Sequence, residues 1–360
     1  MTPLHVLEGL RMFKHSLKKR VSGIPRYSGN SEQICQKILK RCWNEKYYQT
    51  SAGHFCEFYT RDFSWCTKPL MALGQKEKVQ VTLEYAMQTF SRNKKVTVAI
   101  NPSGKPFDYP NYAVDSLPYL LRSLVLSDSF YLIDRYHGFL SKEVERFMAI
   151  VIDKKTGLVK KSQFSSAKDH TNRVSSCYDN CMAGMLSLLL EQSGLNNPLV
   201  KYDYAEITVK NFWKGSYFVD DLSSKQQITG DANIFPFWSG AVKEKQMRRQ
   251  SIDTIRKLKL DRPFPLKYSN KTATEIMAPN YQGNTIWSYL GMLYIDEVSK
   301  LDERLALYYL VKYDEVIKRN ANFLELYEPD GQPYKTAFYV TDDSMIWASM
   351  YLELARRMGD

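Results

Sequence analysis

The stretch SSCYDNCMAGMLSLLLEQSG, residues 175–194, decides the interpretation of the fold. Its first part is mostly polar, and the apolar residues that follow recur at the spacing of one helix face before Gly194, a typical helix stop. Those apolar residues are Met182, Met185, Leu186, Leu189 and Leu190. The stretch therefore predicts a helix that begins directly after a polar loop.

The same periodicity recurs through most of the 360 residues. Only residues 96–100, followed by the turn residues 101–104, predict a strand and a short hairpin. Because no Pro-, Gly- or Ser-rich linker divides the chain, we expect one all-α domain over residues 1–360 with the hairpin as an insertion. Further helices are predicted near residues 3–18, 35–42, 62–73, 76–92, 115–126, 129–153, 202–213, 241–258, 287–298, 301–319 and 347–358.

The composition excludes several classes of protein. Apolar residues make up 44% of the chain and charged residues 25%, which is typical of a protein that folds around a core. The six cysteines form no Cys-x-x-Cys pair and the five histidines form no metal-binding motif, so we expect neither a disulfide framework nor a metal. Glycine-rich phosphate and dinucleotide motifs are missing as well, so we expect no cofactor.

The net charge of +11 is compatible with a nucleic-acid or polyanion partner. The basic residues, however, form separate clusters at residues 14–20, 154–161 and 243–249 without interleaved aromatic residues, which favours solvated helix faces. No run of about 18 apolar residues is present, and the first residues lack the apolar segment of an export signal. We therefore expect a cytoplasmic protein without nucleic-acid or membrane partners, and the sequence leaves its oligomeric state open.

Between the predicted helices lie loops that combine carboxylates or amides with aromatic residues. Tryptophan, tyrosine and phenylalanine number 6, 25 and 17, and aromatic side chains with polar ends suit a wet cleft that binds sugars. In a toroid of paired helices, alternate loops lie at one end and can form a single pocket. The loops are residues 53–65, 107–115, 168–180, 230–238, 281–287 and 323–331.

One of these loops carries a specific motif. Ser176, Asp179 and Asn180 precede the apolar stripe of the predicted helix. This arrangement resembles the Ser-Gly-x-Asp-Asn/Asp-Ser-Pro loop of the (α/α)6-barrel glycosidases, in the trehalase and processing α-glucosidase branch, where the Asp is the general acid. The chain has Cys177 in place of the Gly and Met182 in place of the Pro.

A second loop resembles the Phe-x-Glu-x-Tyr-x-Pro-x-Thr-Gly loop of the same family, which carries the catalytic base. The loop is one residue shorter here and lacks the Thr. This match is the most specific in the chain. The matching residues are Phe323, Glu325, Tyr327, Pro329 and Gly331, followed by Trp347 and Ala348 where the family has a Trp-Ser/Thr helix.

Weaker matches extend the resemblance, in order, over residues 50–358. Residues 281–287 keep the Gly and the last Trp of the family's Trp-Arg-Gly-Pro-x-Trp, with Gln282 in place of the Arg. Arg61 and Asp62 resemble an Arg-Asp pair of the glycogen-debranching α-1,6-glucosidases, and Asp115 lies in a segment similar to their Asn-x-Val-Asp-Ala.

The resemblance implies an all-α (α/α)6 toroid and an inverting, exo-acting hydrolase that removes a terminal α-linked sugar. The substrate that it implies is an α-glucosyl oligosaccharide or glycoside. Asp179 is then the general acid, with Asp169 as its nearest competitor, and Glu325 is the base. Inversion needs about 6.5–9.5 Å between the two carboxyl groups, which leaves room for a water molecule. The residues expected to contact the substrate are Arg61, Asp62, Trp65, Asp115, Asp169, Trp238, Gln282, Trp287, Tyr327 and Trp347.

Each of these residues also has a purely structural interpretation. Asp179 and Asp115 stand where a helix N-cap is expected, and Glu325 is compatible with a surface loop. Arg61 and Asp62 fit either a buried pair or a clamp on sugar hydroxyls. The tryptophans fit either stacking platforms or the core.

Other functions stay open at the level of the sequence. A sugar epimerase or isomerase on the same toroid would resemble its relatives through paired catalytic histidines, for which only His54, His137 and His170 are available. A non-catalytic glycan-binding protein and a basic polyanion-binding helical protein are the remaining alternatives.

Overall fold

The computed structural model of the protein describes residues 3–109, 111–161, 164, 166–168, 173–223, 227–273 and 279–359. Along this part of the chain the helices are α1 (Pro3–Ser22), α2 (Ser31–Cys42), α3 (Thr60–Ala72), α4 (Lys76–Arg92), α5 (Ser116–Leu126), α6 (Phe130–Arg135), α7 (His137–Val151), α8 (Cys177–Ser193), α9 (Tyr204–Phe212), α10 (Gly230–Trp238), α11 (Lys245–Lys257), α12 (Ser288–Ser299), α13 (Glu303–Asn320) and α14 (Ala348–Gly359). The strands are short: β1 (Phe58–Tyr59), β2 (Ala99–Ile100), β3 (Pro106–Phe107), β4 (Ile286–Trp287) and β5 (Leu326–Tyr327).

Six helices form a closed inner ring in which each packs against the next. Their order around the ring is α3, α5, α8, α10, α12 and α14, and α14 packs back on α3. A second helix packs on each member of the ring: α4 on α3, α7 on α5, α9 on α8, α11 on α10, α13 on α12 and α2 on α14. Paired helices around one ring form the (α/α)6 toroid, so the predicted fold is confirmed.

Burial distinguishes the inner helices from the outer ones. The side chains of α8 and α12 are buried nearly all round, whereas α4 and α13 bury one face and expose the other. A helix that is apolar on all sides must be packed on all sides, and the neighbouring helices of the ring cover it in this way. None of the helices in the described ranges combines the length and the hydropathy needed to cross a membrane.

The start of α8 differs from the N-cap interpretation of Asp179. The helix begins at Cys177, before the apolar stripe, and the N-cap is Ser176, whose side chain accepts the backbone N–H of Asp179. Asp179 is therefore a first-turn residue with its carboxylate available for other contacts. Asp115 does occupy the N-cap position of α5, but its side chain makes no cap hydrogen bond.

The helix α10 corrects the sequence interpretation of residues 230–238 as a loop. Gly230 lies against Leu266 and Leu290, where a Cβ would come within 2.9 Å of each. Pro236, inside the helix, removes the hydrogen bond to the carbonyl oxygen of Ala232. That oxygen accepts instead from the thiol of Cys177 at 3.8 Å, so packing stabilises a helix whose composition indicated a loop.

The segment predicted as one helix over residues 129–153 is divided into α6 and α7 at Tyr136. The predicted hairpin is confirmed, because β2 and β3 pair in antiparallel orientation and β1 adds a third strand beside β2. A separate antiparallel pair joins β4 to β5. This pair brings the connection between α13 and α14 to the start of α12.

Gly291 lies where α12 contacts its outer helix α13. A Cβ at this position would overlap the hydroxyl of Tyr313 and the carbonyl oxygen of Pro265, two groups that are hydrogen-bonded to each other. The absence of a side chain therefore allows α12 to approach its neighbours closely.

We expect Gly291→Ala to lower the free energy of unfolding by about 1–3 kcal/mol, the usual cost of overpacking a filled core. Equilibrium unfolding in urea measures the difference. Gly138→Ala in α7 is the matched control, because a Cβ there meets nothing within 4 Å. Equal stability of the Gly291 and Gly138 variants would contradict the close approach.

Candidate active site

The inner helices begin at one end of the ring, and side chains near their first turns contact one another there. Arg61 of α3 pairs with Asp115, the residue before α5, at 2.6 Å from Nε and 3.3 Å from Nη2. Tyr178 of α8 donates to the same carboxylate at 2.6 Å. Asp115 is completely buried. Its carboxylate therefore joins the N-terminal ends of α3, α5 and α8.

The other half of the ring is joined in the same way. Trp347, directly before α14, donates its indole N–H to Asp62 of α3 at 3.0 Å, and Tyr289 of α12 packs against Trp347 with ring centroids 5.1 Å apart. Arg173, before α8, pairs with Asp231 of α10 at 3.2 Å. We call this end of the ring the N-terminal rim, defined by Arg61, Asp62, Asp115, Asp179, Asp231, Tyr289, Glu325 and Trp347.

Two stacked aromatic side chains fill the space enclosed by the inner helices next to the N-terminal rim. Trp65 and Tyr289 lie face to face with centroids 4.1 Å apart, and both are buried. The indole N–H of Trp65 donates to the hydroxyl of Tyr119 at 2.9 Å. Trp65 is therefore covered by protein, as its core interpretation required.

Glu325 lies in the connection between α13 and α14, directly before β5. Its backbone carbonyl accepts the N–H of Ser288 at the start of α12 (3.0 Å), which fixes the residue at the N-terminal rim. The side chain is only 1% exposed. Oε1 accepts from the hydroxyl of Tyr281 at 2.5 Å, and Oε2 accepts from the hydroxyl of Tyr339 and the backbone N–H of Asp342. Glu325 is thus a buried, fully bonded carboxyl group and not a surface residue.

The environment of Glu325 raises the pKa of its carboxyl group into the neutral range. Burial raises the pKa of Glu325 to about 7, although the hydrogen bonds from Tyr281 and Tyr339 lower it. A carboxyl with this pKa is partly ionised near neutral pH and can accept a proton there. Glu325 can therefore either accept or donate a proton near neutral pH.

A buried polar network lies behind Tyr339. His54 Nε2 forms a hydrogen bond with the Tyr339 hydroxyl at 2.9 Å, and burial lowers the pKa of His54 to about 3, so the imidazole is neutral. Asp342 accepts the backbone N–H of His54 at 2.9 Å and pairs with Lys19 of α1 at 2.6 Å. The network holds Tyr339 and the Asp342 N–H against Glu325.

Asp179 lies in the first turn of α8, across the ring from the connection that carries Glu325, because two inner helices separate α8 from α14 on either side. The side chain is 4% exposed, and Oδ1 has no hydrogen-bond partner among the described residues. Burial raises the pKa of Asp179 to about 6, against the positive charge of Arg173. A buried carboxyl oxygen without a donor favours the protonated form, which a general acid needs.

A cluster of charges anchors the segment before α8. Arg173 donates to Asp220 at 3.0 Å and to Asp231 at 3.2 Å. Lys168 pairs with Asp220 at 3.2 Å, and the Tyr268 hydroxyl donates to Asp231 at 2.6 Å. These buried contacts fix the backbone next to Asp179.

Asp62 is the third carboxyl group at the N-terminal rim whose pKa is raised by burial, after Glu325 and Asp179. Burial raises the pKa of Asp62 to about 7, against the positive charge of Arg61. Arg61 and Asp62 do not pair with each other in the contacts described above, because Arg61 binds Asp115 and Asp62 binds Trp347. Neighbouring residues in the sequence thus join two different pairs of helices.

Two further predicted residues lie at the N-terminal rim. Trp287 donates its indole N–H to the carbonyl oxygen of Tyr281 at 2.9 Å and packs edge-on against the Tyr281 ring. Gln282 donates to the carbonyl oxygen of Ala167 at 2.8 Å, while its own Oε1 has no hydrogen-bond partner among the described residues. Both residues are buried.

Two predicted residues lie away from the N-terminal rim, and a third lies outside the residues that the structure describes. Tyr327 is 1% exposed and packs edge-on against Phe264 in the core. Trp238 is the last residue of α10, at the opposite end of that helix from the N-terminal rim, with the Arg122 guanidinium 4.2 Å above its ring. Asp169, the competing acid, is outside the described residues.

Several residues that shape this site were not predicted from the sequence. Tyr281 and Asp231 lie in the polar-aromatic loops at residues 281–287 and 230–238, but the sequence pattern indicated no role for either residue. Arg173, Tyr339 and Asp342 belong to no motif, so only the contacts assign them a role. As for metals, no group of three His, Cys, Asp or Glu side chains in the described ranges is placed to hold an ion.

Comparison with solved structures finds the same architecture at low sequence identity. A glycosidase variant in complex with glucose has a TM-score of 0.68 at 12% identity over 98% of both chains. Mannosylglycerate hydrolase from Thermus thermophilus, in complex with Tris and D-glycerate, has a TM-score of 0.64 at 10% identity over 91% of this chain and all of the other. A rhamnosidase from Klebsiella oxytoca with rhamnose bound has a TM-score of 0.62 at 11% identity over 93% of this chain and 65% of the other.

No protein-family model matches the chain, and no curated protein matches it in sequence. At 10–12% identity the structural similarities show the fold alone. The chain therefore has the toroid that these glycosidases have.

We expect Tyr281→Phe to raise the pKa of Glu325 above about 7, because it removes a donor that favours the ionised carboxylate. An NMR titration of the side-chain carboxyl carbons, with Glu325 assigned from the Glu325→Gln spectrum, measures the shift. Tyr334→Phe is the control, since the Tyr334 ring packs against Tyr281 but its hydroxyl donates to the carbonyl oxygen of Pro279. An unchanged or lower pKa in the Tyr281 variant would contradict the hydrogen bond.

Proposed function

We propose that the protein is an inverting, exo-acting glycoside hydrolase that removes a terminal α-linked sugar, α-glucosyl in the simplest case. The observation that carries the proposal is the pair of buried carboxyl groups, Asp179 and Glu325, on opposite sides of the N-terminal rim, each with a pKa raised by burial. The structural neighbours support the class, because they are glycosidases by name and two of them hold a sugar.

In the proposed reaction Asp179 donates its proton to the glycosidic oxygen while the bond from that oxygen to the anomeric carbon breaks. Glu325 removes a proton from a water molecule that forms the new bond at the opposite face of the sugar. The products are an alcohol and a sugar of inverted configuration. Proton exchange with solvent then returns Asp179 to its acid form and Glu325 to its base form.

Hydrogen bonding distinguishes the roles of the two carboxyl groups. Glu325 accepts from two tyrosine hydroxyls and one backbone N–H, which favour its ionised form and hold it in one orientation. Asp179 has an oxygen without a donor among the described residues, which favours the protonated form. The acid is therefore assigned to Asp179 and the base to Glu325.

The other residues of the N-terminal rim divide into two proposed roles. Asp62 and Gln282 supply a carboxyl and an amide group for the sugar, with Oε1 of Gln282, which has no partner among the described residues, as an acceptor for a hydroxyl. Trp287 and Trp347 supply the faces of their rings, because their indole N–H groups already bond to Tyr281 and Asp62. Arg61, Asp115 and Trp65 position the helices instead, because their polar groups already bond to protein.

No observation favours the alternative functions. Of the histidines that an epimerase would need, His54 is buried behind Tyr339, His137 is exposed at the start of the outer helix α7, and His170 is outside the described residues. The basic cluster at residues 14–20 does not present all its charges to a polyanion, because Lys19 is buried between Asp342 and Asp343.

The two carboxyl groups are tested by substrates that differ in leaving group, after a panel of α-linked disaccharides and glucosyl conjugates has identified a substrate. We expect Asp179→Asn to lower kcat about 10²–10⁴-fold on a glycoside with an alcohol leaving group, but far less on an aryl glycoside whose phenol leaves without protonation. Glu325→Gln is expected to lower both rates equally, because water still needs a base.

Asp302→Asn is the control, because Asp302 caps α13 away from the N-terminal rim and an amide caps a helix as well. Proton NMR of the first anomer released checks the stereochemistry. Full turnover by both carboxyl variants, or a retained anomer, would overturn the assignment.

The two pKa values predict a bell-shaped dependence of kcat/KM on pH. The ionised fraction of Glu325 rises with pH through about 7, and the protonated fraction of Asp179 falls as pH rises through about 6, so the reactive form that combines the two is a minor one. The product of the two fractions is greatest between these values. In Asp179→Asn, assayed with the aryl glycoside, the alkaline fall is expected to vanish while the acidic limb stays; persistence of the fall would assign it to another group.

A further inference from the structure

The N-terminal helix α1 has its polar face towards the protein and its apolar face towards solvent. Lys19 is buried between Asp342 and Asp343, at 2.6 and 2.7 Å, and the hydroxyl of Ser16 accepts the N–H of Val340. Arg11 donates to the carbonyl oxygen of His54. The polar face of an amphipathic helix normally lies towards solvent, but in α1 it contacts the rest of the protein.

The outer face of α1 consists of large apolar side chains. Because successive helical residues turn by about 100°, five of these side chains fall in one arc of about 80°, and Leu7 lies about 40° outside it. Their exposed fractions lie between 46% and 82%, far above those of a packed helix. The residues of the outer face are Val6, Leu7, Leu10, Phe13, Leu17 and Val21.

Exposed aromatic residues of two loops lie near the two ends of α1. Tyr109 is 36% exposed and packs edge-on against His5 near the start of the helix. Phe338 is 53% exposed and follows Thr336, whose carbonyl oxygen accepts from Arg20 near the end of the helix. An exposed apolar surface of this extent is uncommon on a monomer and indicates a binding surface.

Charge indicates which kind of partner the outer face fits. Lys14 and Lys18 are exposed along one border of the face. Glu8 is the one acidic residue of the α1 sequence, and its carboxylate accepts from Arg11 and Asn101. The helix therefore presents apolar side chains and uncompensated positive charge, which complement an apolar layer with a negative surface.

A second copy of the chain complements this surface poorly. An interface with two-fold symmetry brings the same patch of both copies together. In an antiparallel pair of α1 helices the border that carries Lys14 and Lys18 would face the same border of the other copy, with no exposed acidic residue of α1 to pair with these lysines.

We propose that the outer face of α1 docks the protein on an anionic lipid bilayer. The apolar side chains enter the interface, and Lys14 and Lys18 lie at the level of the lipid phosphates. The proposal departs from the expectation of no membrane partner, which rested on the lack of an apolar run long enough to span a bilayer. Docking of this kind leaves the ring intact, because the polar face of α1 keeps its contacts.

Sedimentation with vesicles of phosphatidylcholine, with and without phosphatidylserine, tests the proposal on the full chain. We expect retention on the vesicles that contain phosphatidylserine, with weaker retention at high salt. Leu10→Asp combined with Phe13→Asp is expected to lower the bound fraction about tenfold or more. Lys14→Glu combined with Lys18→Glu is expected to lower it on the anionic vesicles.

Val200→Asp combined with Leu307→Asp is the matched control, because both residues are exposed apolar residues away from α1, at 64% and 44%. This control should bind like the unchanged chain, and all variants should keep its melting temperature. The proposal fails if the unchanged chain does not sediment at low salt, or if neutral vesicles retain it equally well. It also fails if light scattering shows a dimer that the α1 variants dissociate while no vesicle binds.

Discussion

The buried carboxylate of Asp342 connects the parts of the chain on which the candidate site depends. It binds Lys19 of α1, the hydroxyl of Ser51 and the backbone N–H of His54, so the N-terminal helix, the loop before α3 and the segment before α14 meet at one group. The backbone N–H of the same residue donates to Glu325. Because an unpaired buried carboxylate is costly, these segments hold their positions only together.

The parallel direction of the inner helices explains why so many acidic residues gather at the N-terminal rim. Helix N-termini carry partial positive charge and stabilise carboxylates, so six starts at one end favour acidic side chains there. These carboxyl groups then differ by their partners. Asp115 and Asp231 bind arginines and hold helices together, whereas Asp62 and Asp179 have raised pKa values because burial outweighs their partners.

The sequence predicted what depends on local pattern. Helical periodicity gave most of the helices, and the motif around Glu325 identified a carboxyl group that is buried at the N-terminal rim. Local pattern failed where tertiary contacts override it: α10 contains Gly230 and Pro236, and only packing makes it a helix. The partners of Glu325 could not be predicted either, because Tyr281 and Tyr339 reach it through loops whose paths no residue pattern specifies.

The pairing of Lys19 with Asp342 spans 323 residues of chain. A ribosome releases residue 19 early and residue 342 near the end, so Lys19 waits through most of synthesis for its partner, whereas the partners of Arg11 and Glu8 at residues 54 and 101 are available much earlier. The surroundings of Glu325 consequently form among the last events of folding, together with the packing of α14 on α3. A nascent or shortened chain would contain most of the toroid and still lack the surroundings of Glu325.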